Sequence, residues 1–388
     1  MIRFLPILSL VILLFSIQPE LKAWEGMATP RLKVEGRYLK DPHGNIINLH
    51  GFVQTYSPWF NEQGSKWNNY DVNACLTYNK GIIDKIMAAG WKVNFIRLHM
   101  DPYWSNAPGC QPDGHELPNC FDETRFRKYL DEVFVPMAEY AISKGLYVVL
   151  RPPGVCPEVI GVEDEYNYAA YLLKVWDIVS AHPKIKYREE IMFELANEPV
   201  RIRLADGSVG SNTQAHFDVL KEIFQPVVNK IRENGFQNVL WVPGSGYQAQ
   251  YKGYAVNPIE GENIGYAIHV YPGWFGSADG YEVFKREWDE QITPVANFAP
   301  ILVTEMDWAP AKYNSSWGKA ITGTAGGDGF GANFKKIVDD TGNVGWLLFT
   351  DAHLLAQFKD EAPAPGQPYT FLTDPEACPW PVYHWFKE

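Results

Sequence analysis

The segment "HFDVLKEIFQPVVNKIRENGFQNVLWVPG", residues 216–244, holds the two patterns that decide the fold. Its first part repeats apolar residues at helical spacing, namely Phe217, Leu220, Phe224, Val227, Val228 and Ile231. A glycine, Gly235, then precedes an apolar run that ends in "VLWVPG". Glycine suits the left-handed position that ends a helix, and the same glycine followed by an apolar residue recurs at Gly90 and Gly145. The pattern predicts an amphipathic helix that leads directly into a buried strand.

Seven more apolar runs of strand length extend this pattern along the chain. Together the eight runs are "INLHGF" (47–52), "NFIRLHM" (94–100), "YVVLRPP" (147–153), "IMFELANEP" (191–199), "VLWVPG" (239–244), "IGYAIHVYP" (264–272), "ILVTEMD" (301–307) and "GWLLFTD" (345–351). An opening hairpin, "RLKVEGRYLKDPHGNIINL" (31–49), precedes them. Eight strand and helix alternations without a linker predict an α/β fold, a (β/α)8 TIM barrel with an N-terminal β-hairpin. We expect a single domain over residues 24–388.

The first residues have the features of a secretory signal peptide. Arg3 precedes an apolar run from Phe4 to Ile17, and a polar stretch ends at Ala23. The run of 14 residues is short for a membrane span. The sequence therefore predicts a signal peptide over residues 1–23 and a secreted protein, either extracellular or periplasmic.

Charge and cysteine content limit the partners. The chain has 34 basic and 46 acidic residues, a net charge of -12, and no basic run, which makes nucleic acid an improbable partner. Neutral substrates fit this balance better than polyanions. The five cysteines lie in an exported chain, so a disulfide is expected, and Cys110 and Cys120 would close the easiest loop. No CxxC pair indicates a structural zinc site.

Polar side chains lie near the ends of most of the predicted strands. They are Arg97, His99, Arg151, Asn197, Glu198, His269, Tyr271 and Glu305. One such residue alone would be read as a structural hydrogen-bonding group. Because the carboxyl ends of barrel strands meet on one face, where active sites of this fold lie, the set predicts a shared pocket.

The fourth run contains two glutamates four residues apart. Side chains alternate along a strand, so Met192, Glu194, Ala196 and Glu198 are expected on one face. Glu194 would then lie deep in the barrel and need a partner for its charge, while Glu198 would lie at the rim. For Asn197 to reach the same pocket, the strand must bulge or bend at its end.

Glu305 supplies a second acidic group at the rim, 107 residues after Glu198. Two carboxyl groups facing one pocket are what glycosidic bond cleavage requires. Several aromatic residues near strand ends could stack against sugar rings, although each alone suits the core equally well. They are Trp59, Trp104, Trp274 and Trp308.

At these residues the chain resembles glycoside hydrolase family five, within the clan of retaining (β/α)8 glycosidases. The matching motifs include "FIRLHM", "FELANEP", "IHVYP" and "VTEMD", in family order. The resemblance implies Glu198 as general acid/base and Glu305 as nucleophile. It implies a substrate-binding set of Arg97, His99, Arg151, Asn197, His269, Tyr271, Trp308, Trp346 and Phe349.

Two motifs depart from the family pattern. The third strand ends in "LRPPG", with Arg151 where many members have histidine. The eighth strand places Phe349 where a tryptophan usually lies beneath the sugar, with Trp346 earlier in the strand. These departures weaken an assignment to cellulose but leave the fold and mechanism unchanged.

The sequence therefore predicts a secreted retaining hydrolase of a plant cell-wall β-glycan, similar to an endo-β-1,4-glucanase. A xylanase, a mannanase or an exo-acting β-glycosidase remains open, as does a barrel that binds glycan without cleaving it. A metallohydrolase using His99 and His269 lacks an HxH or HxxxH motif. We expect a monomer without cofactor or metal that acts on β-linked polysaccharide or oligosaccharide and binds neither nucleic acid nor membrane.

Overall fold

The computed structural model describes residues 24–54, 70–88, 90–110, 118–271, 273–277, 280–306 and 330–348. Its strands, in chain order, are β1 (Lys33–Glu35), β2 (Tyr38–Lys40), β3 (His50–Gln54), β4 (Phe95–His99), β5 (Tyr147–Arg151), β6 (Val159–Gly161), β7 (Ile191–Glu194), β8 (Arg201–Arg203), β9 (Val209–Gly210), β10 (Leu240–Pro243), β11 (Ile264–Val270), β12 (Ile301–Met306) and β13 (Val344–Leu348). The eight predicted runs are all strands.

The eight long strands close into a parallel barrel. Its order is β3, β4, β5, β7, β10, β11, β12 and β13, and β13 pairs with β3 to close it. The strands β1 and β2 form the expected hairpin. A three-stranded sheet of β6, β8 and β9 is built from the segments that follow β5 and β7. The predicted TIM barrel with an N-terminal hairpin is confirmed.

Helices connect the barrel strands. They are α1 (Val72–Ala88), α2 (Pro102–Ser105), α3 (Glu123–Tyr129), α4 (Val135–Ser143), α5 (Tyr168–Ala181), α6 (Gln214–Glu233), α7 (Ser245–Gln248), α8 (Tyr281–Gln291), α9 (Thr293–Ala296) and α10 (Phe330–Thr341). The apolar residues predicted on α6 are all buried. Gly90, Gly145 and Gly235 have φ of 80°, 73° and 92°, which confirms left-handed helix ends at these glycines.

The core has two layers separated by the barrel wall. The inner layer fills the barrel and includes Val149, Met192 and Trp241. The outer layer lies between the strands and the helices. Phe193 belongs to the outer layer and packs on Trp176 of α5, with ring centroids 4.7 Å apart. Inward and outward side chains thus alternate along the strands, as the period of two requires.

One further sequence prediction can be compared with these residues. A disulfide joins Cys110 to Cys120, as expected from their spacing. Among the described residues, no helix combines the length and the apolar character needed to cross a bilayer. The predicted signal peptide lies outside the described residues.

Candidate active site

The carboxyl ends of the barrel strands bring most of the predicted polar residues together. The converging residues are Arg97, His99, Arg151, Asn197, Glu198, His269, Tyr271 and Glu305. Hydrogen bonds and a 3.4 Å contact between His269 and Glu305 link them into one network. All of them are buried except Glu198, whose side chain keeps 18% of its exposure. The shared pocket predicted from the strand ends is therefore present.

Arg97 is the centre of this network. Its Nη1 donates to Glu305 Oε1 at 2.7 Å, and its Nη2 donates to Asn197 Oδ1 at 2.7 Å. Its Nε and Nη2 also donate to the two carboxylate oxygens of Glu194, at 2.6 and 3.0 Å. Burial disfavours the charged guanidinium, but the charges of Glu194 and Glu305 more than offset this and raise the pKa of Arg97. Arg97 is therefore a permanent cation between two carboxylates.

Glu194 lies beneath the pocket, fully buried, as its position in the strand predicted. Besides Arg97, two donors reach its Oε1, Gln248 Nε2 at 3.1 Å and Thr304 Oγ1 at 2.8 Å. The expected cationic and hydrogen-bonding partners are thus confirmed. With four hydrogen bonds already accepted, this carboxylate orients Arg97 from below.

The chain leaves strand geometry between Glu194 and Glu198. The expected alternation is wrong at Ala196, which packs with Leu195 in the outer layer instead of facing the pocket. The indole of Trp176 on α5 donates to the carbonyl of Leu195 at 2.8 Å. This carbonyl is therefore bound by a helix side chain instead of by the backbone of a neighbouring strand. Glu198 then has a left-handed φ of 56°. This bend lets both Asn197 and Glu198 face the pocket, as the sequence required.

A β-bulge on β12 turns Glu305 into the pocket. The register with β11 shifts so that Ile268 pairs with Val303 and His269 pairs with Glu305. Thr304 is the extra residue, and its hydroxyl binds Glu194 inside the barrel. Because a bulge places two successive residues against one partner, Thr304 and Glu305 both point inward. Strict alternation would have pointed Glu305 at the helices.

Glu305 is held in its ionised form. Burial opposes the charge, but the charges of His269 and Arg97 and hydrogen bonds from Tyr271 and Arg97 lower the pKa of Glu305. The hydroxyl of Tyr271 donates to its Oε2 at 2.5 Å. His269 Nδ1 lies 3.4 Å from the same oxygen. A carboxylate that is bound by a permanent cation and by a hydroxyl donor remains an anion near neutral pH.

Glu198 faces Glu305 across His269. His269 Nδ1 lies 2.9 Å from Glu198 Oε1. One atom each of Glu198, His269 and Glu305 lie within 4.8 Å of one another, so an oxygen of Glu198 lies within 4.8 Å of an oxygen of Glu305. Such a trio could hold a cation, but the guanidinium of Arg97 already lies against Glu305. The arrangement pairs one buried anion with one half-buried carboxyl group.

His99 and Arg151 form the wall beside this pair. Arg151 Nη2 lies 2.9 Å from His99 Nδ1, and Arg97 Nη1 lies 3.2 Å from His99 Nε2. Burial, together with the charges of Arg151 and Arg97, lowers the pKa of His99 well below its usual value. His99 is therefore a neutral ring between two guanidinium groups, and Arg151 is further fixed by the carbonyls of Pro152 and Gly154.

The structure does not bring Trp346 to the site. Trp346 is buried in the outer layer, with its ring centroid 5.8 Å from that of Phe334 on α10. In the barrel wall, Trp346 pairs with His50 of β3, whereas Arg97 pairs with Val53 of the same strand. Trp346 therefore lies three residues further than Arg97 from the carboxyl end of the barrel. Its neighbour Leu347 faces the barrel interior instead. The expectation that Trp346 binds substrate is corrected by the alternation of β13.

Other predicted aromatic positions have different outcomes. Trp308 and Phe349, like Trp59, lie outside the described residues. Trp104 is fully buried in α2 against Tyr129 and belongs to the core. Trp274 is partly buried beside Tyr271, with ring centroids 5.2 Å apart.

Three residues of the site were missed by reasoning from sequence. Gln248 and Thr304 bind Glu194, and Tyr247 exposes 48% of its surface with its ring centroid 6.3 Å from that of Trp274. Gln248 and Tyr247 follow the end of β10, a strand end to which no polar residue had been assigned. The sequence "GSGYQ" there has a glycine on each side of Ser245, which signals an unusual backbone.

Comparison with known proteins identifies relatives along most of the chain. The family model described as "Cellulase (glycosyl hydrolase family 5)" matches residues 44–325. Endoglucanase E-5 of Thermobifida fusca is 26% identical over 285 residues, which are 72% of this chain and 50% of that protein. An endoglucanase of Bacillus sp. (strain KSM-635) is 32% identical over 182 residues, 46% of this chain and 17% of that protein. The matched part thus spans half or less of these two relatives.

The fold has counterparts among solved structures. A beta-glucanase of Saccharophagus degradans, solved in complex with cellotetraose, superposes with a TM-score of 0.61. The alignment covers 96% of this chain and 99% of that one at 18% identity. Identity this low supports the shared barrel alone.

Proposed function

Because this chain belongs to glycosyl hydrolase family 5 and is a glycoside hydrolase, we propose that it cleaves β-1,4 bonds of a plant cell-wall glucan with retention of configuration. The observation that carries the proposal is the approach of Glu198 and Glu305 to within 4.8 Å. Carboxyl groups of retaining glycosidases lie about 5–5.5 Å apart, whereas inverting enzymes need roughly 6.5–9.5 Å to admit a water. The short separation supports double displacement.

In this proposal Glu305 is the nucleophile and Glu198 is the general acid/base. Glu305 attacks the anomeric carbon while Glu198 gives its proton to the glycosidic oxygen, so the bond breaks and the leaving sugar departs as an alcohol. Glu198, now a carboxylate, takes a proton from water, whose oxygen attacks the same carbon and releases Glu305. The lowered pKa of Glu305 and the partly exposed position of Glu198 support this division.

The surrounding residues would bind and orient the sugar. Asn197, fixed by Arg97, suits a hydrogen bond to the 2-hydroxyl, and His269 and Tyr271 lie beside the two carboxyl groups. We propose substrate contacts for His99 and Arg151 as well, and Trp308 and Phe349 stay predictions. Tyr247 and Trp274 extend the aromatic surface away from Tyr271.

The roles of the two glutamates can be separated with azide. Glu198→Ala should still form the glycosyl-enzyme from a substrate whose leaving group needs no proton, and azide should then yield a β-glycosyl azide. Glu305→Ala can form no covalent intermediate, so direct attack by azide should yield the α-azide. The measurement is the anomeric configuration of each product by NMR. Exchanged configurations would mean that the two roles are reversed.

Products from glucan, xylan and mannan should identify the sugar. The relatives named as endoglucanases and the beta-glucanase bound to cellotetraose support glucan and endo action. We expect cello-oligosaccharides of several lengths from glucan. Release of a single short product would indicate an exo-acting enzyme. Preferred cleavage of xylan or mannan would mean that glucan is not the substrate, while the proposed mechanism would stand. Full activity after EDTA treatment is expected, and its loss would favour the metallohydrolase.

We propose that the enzyme is secreted after removal of residues 1–23 and acts as a monomer. The disulfide between Cys110 and Cys120 supports an oxidising compartment. N-terminal sequencing of the exported protein should begin at Trp24. Light scattering should give the mass of one chain.

A further inference from the structure

The short segment α7, which follows β10 beside the proposed acid/base, is a left-handed turn rather than a regular helix. Gly246, Tyr247 and Gln248 have φ of 57°, 61° and 59° in succession. Each non-glycine residue in this conformation costs roughly 1–2 kcal/mol, so such a run persists only where its surroundings hold it. Glu198, with φ of 56°, lies against the same turn. Two strained segments therefore meet next to the reacting carboxyl groups.

Backbone hydrogen bonds fasten the turn to the residues that follow Glu198. The amide of Tyr247 donates to the carbonyl of Pro199 at 3.1 Å, and the amide of Gly246 donates to the carbonyl of Val200 at 3.1 Å. These bonds fix the two residues that follow Glu198. The backbone amide of Glu198 itself is bound by a different group.

That partner is the side chain of Gln248. The amide of Glu198 donates to Gln248 Oε1 at 2.6 Å. The Nε2 of Gln248 donates to Glu194 Oε1 at 3.1 Å and to the carbonyl of Ala267 at 3.2 Å. An amide N–H can only donate and a carbonyl oxygen can only accept, so these partners determine the orientation of the carboxamide. Gln248 is fully buried, and its three hydrogen bonds are internal.

We propose that Gln248 is a positioning residue that holds the general acid/base Glu198 in its left-handed conformation. This inference rests on the role of Glu198 in the proposed function. The bond to the Glu198 amide stabilises a backbone conformation that a glutamate otherwise avoids. Without it, Glu198 relaxes toward ordinary φ values, and its carboxyl group moves away from His269 and from the glycosidic oxygen. Glu305 keeps its contacts with Arg97 and Tyr271, so attack on the anomeric carbon is preserved.

This role has a kinetic signature that a purely structural role lacks. Protonation matters for a poor leaving group such as phenol and hardly matters for dinitrophenol. In Gln248→Leu, kcat/KM on the phenyl glycoside should fall about 10- to 100-fold, since general acid catalysis contributes about 10²–10⁴ and a displacement of about 1 Å can remove 10². On the dinitrophenyl glycoside it should fall less than about threefold. The ratio of the two values does not depend on the fraction of enzyme that is folded.

Thr304→Val is the matched control. Thr304 also donates to Glu194 Oε1 but, among the described residues, has no hydrogen bond to Glu198. Its loss should slow both substrates by the same factor, because it disturbs the support of Arg97 rather than the acid. Gln248→Glu would be protonated, because it is buried against the Glu194 carboxylate. The neutral acid keeps an oxygen acceptor for the Glu198 amide and a hydroxyl donor for Glu194, so it should restore the ratio toward the wild-type value. This variant also tests the proposal if the leucine variant does not fold.

The experiment uses phenyl and dinitrophenyl β-glycosides of the disaccharide that product analysis identifies, cellobiose being expected. Glu198→Ala is measured beside the other variants. If Glu198→Ala shows no selective loss on the phenyl glycoside, the proposed function fails. If it does, but Gln248→Leu slows both substrates equally or slows neither, the positioning role alone is wrong.

Discussion

Replacing Glu194 with alanine is expected to destabilise the fold before it affects the chemistry. The side chain is fully buried and accepts four hydrogen bonds, two from Arg97 and one each from Gln248 and Thr304. In Glu194→Ala these donors lose the carboxylate that accepts their hydrogen bonds. The charge of Arg97 then keeps its ion pair with Glu305 but loses the one with Glu194.

The size of the effect follows from the burial of the pair. Removing one partner of a buried ion pair costs about 3–5 kcal/mol, a large part of the roughly 5–15 kcal/mol by which proteins are stable. It corresponds to a loss of roughly two to nearly four powers of ten in the folding equilibrium constant. Glu194→Gln, which keeps the shape and one acceptor oxygen, should lose less.

Urea unfolding followed by tryptophan fluorescence measures this loss as a lower midpoint with an unchanged slope. Glu158→Ala, which removes an exposed ion pair with Arg201, is the control and should change the midpoint little. Turnover of Glu194→Ala per folded molecule should be reduced but not abolished, because Arg97 keeps its hydrogen bonds to Glu305 and Asn197. A loss below about 1 kcal/mol together with abolished turnover would show that Glu194 takes part in the reaction and would refute its structural assignment.

Further expectations concern pH, the core and the disulfide. The hydrogen bond from Tyr271 helps to lower the pKa of Glu305. Because kcat/KM should fall as pH drops through that pKa, Tyr271→Phe should move the acidic limb of the pH profile to higher pH. An unmoved limb would contradict the effect of Tyr271 on the pKa of Glu305. Trp346→Ala should lower the free energy of unfolding by about 3–5 kcal/mol with KM unchanged. A raised KM in a variant of normal stability would instead support the predicted contact between Trp346 and the substrate. Cys110→Ser paired with Cys120→Ser should lower stability by about 2–3 kcal/mol in urea unfolding, and no change would show that the loop is held by other contacts.

The sequence determined the architecture because its evidence is local and repeated. Helical spacing on α6, glycine at helix ends and eight apolar runs each report the conformation of a few residues. The same period of two, counted from Phe193, placed Glu194 inside the barrel and required a partner for it. The motifs around Glu198 and Glu305 marked them as pocket residues, since strand ends in a barrel meet on one face.

The tertiary structure decided how those residues face each other. The bulge that turns Glu305 inward depends on the register between β11 and β12. The left-handed backbone of Glu198 depends on the hydrogen bond that its amide donates to Gln248, 50 positions away. Trp346 faces the helices because Leu347 takes the inward place on β13. A short window of sequence carries no information on partners from other strands. The positions of strands and acids were therefore readable from the chain, while the distances, bends and partners that would make the acids reactive arise only when the barrel closes.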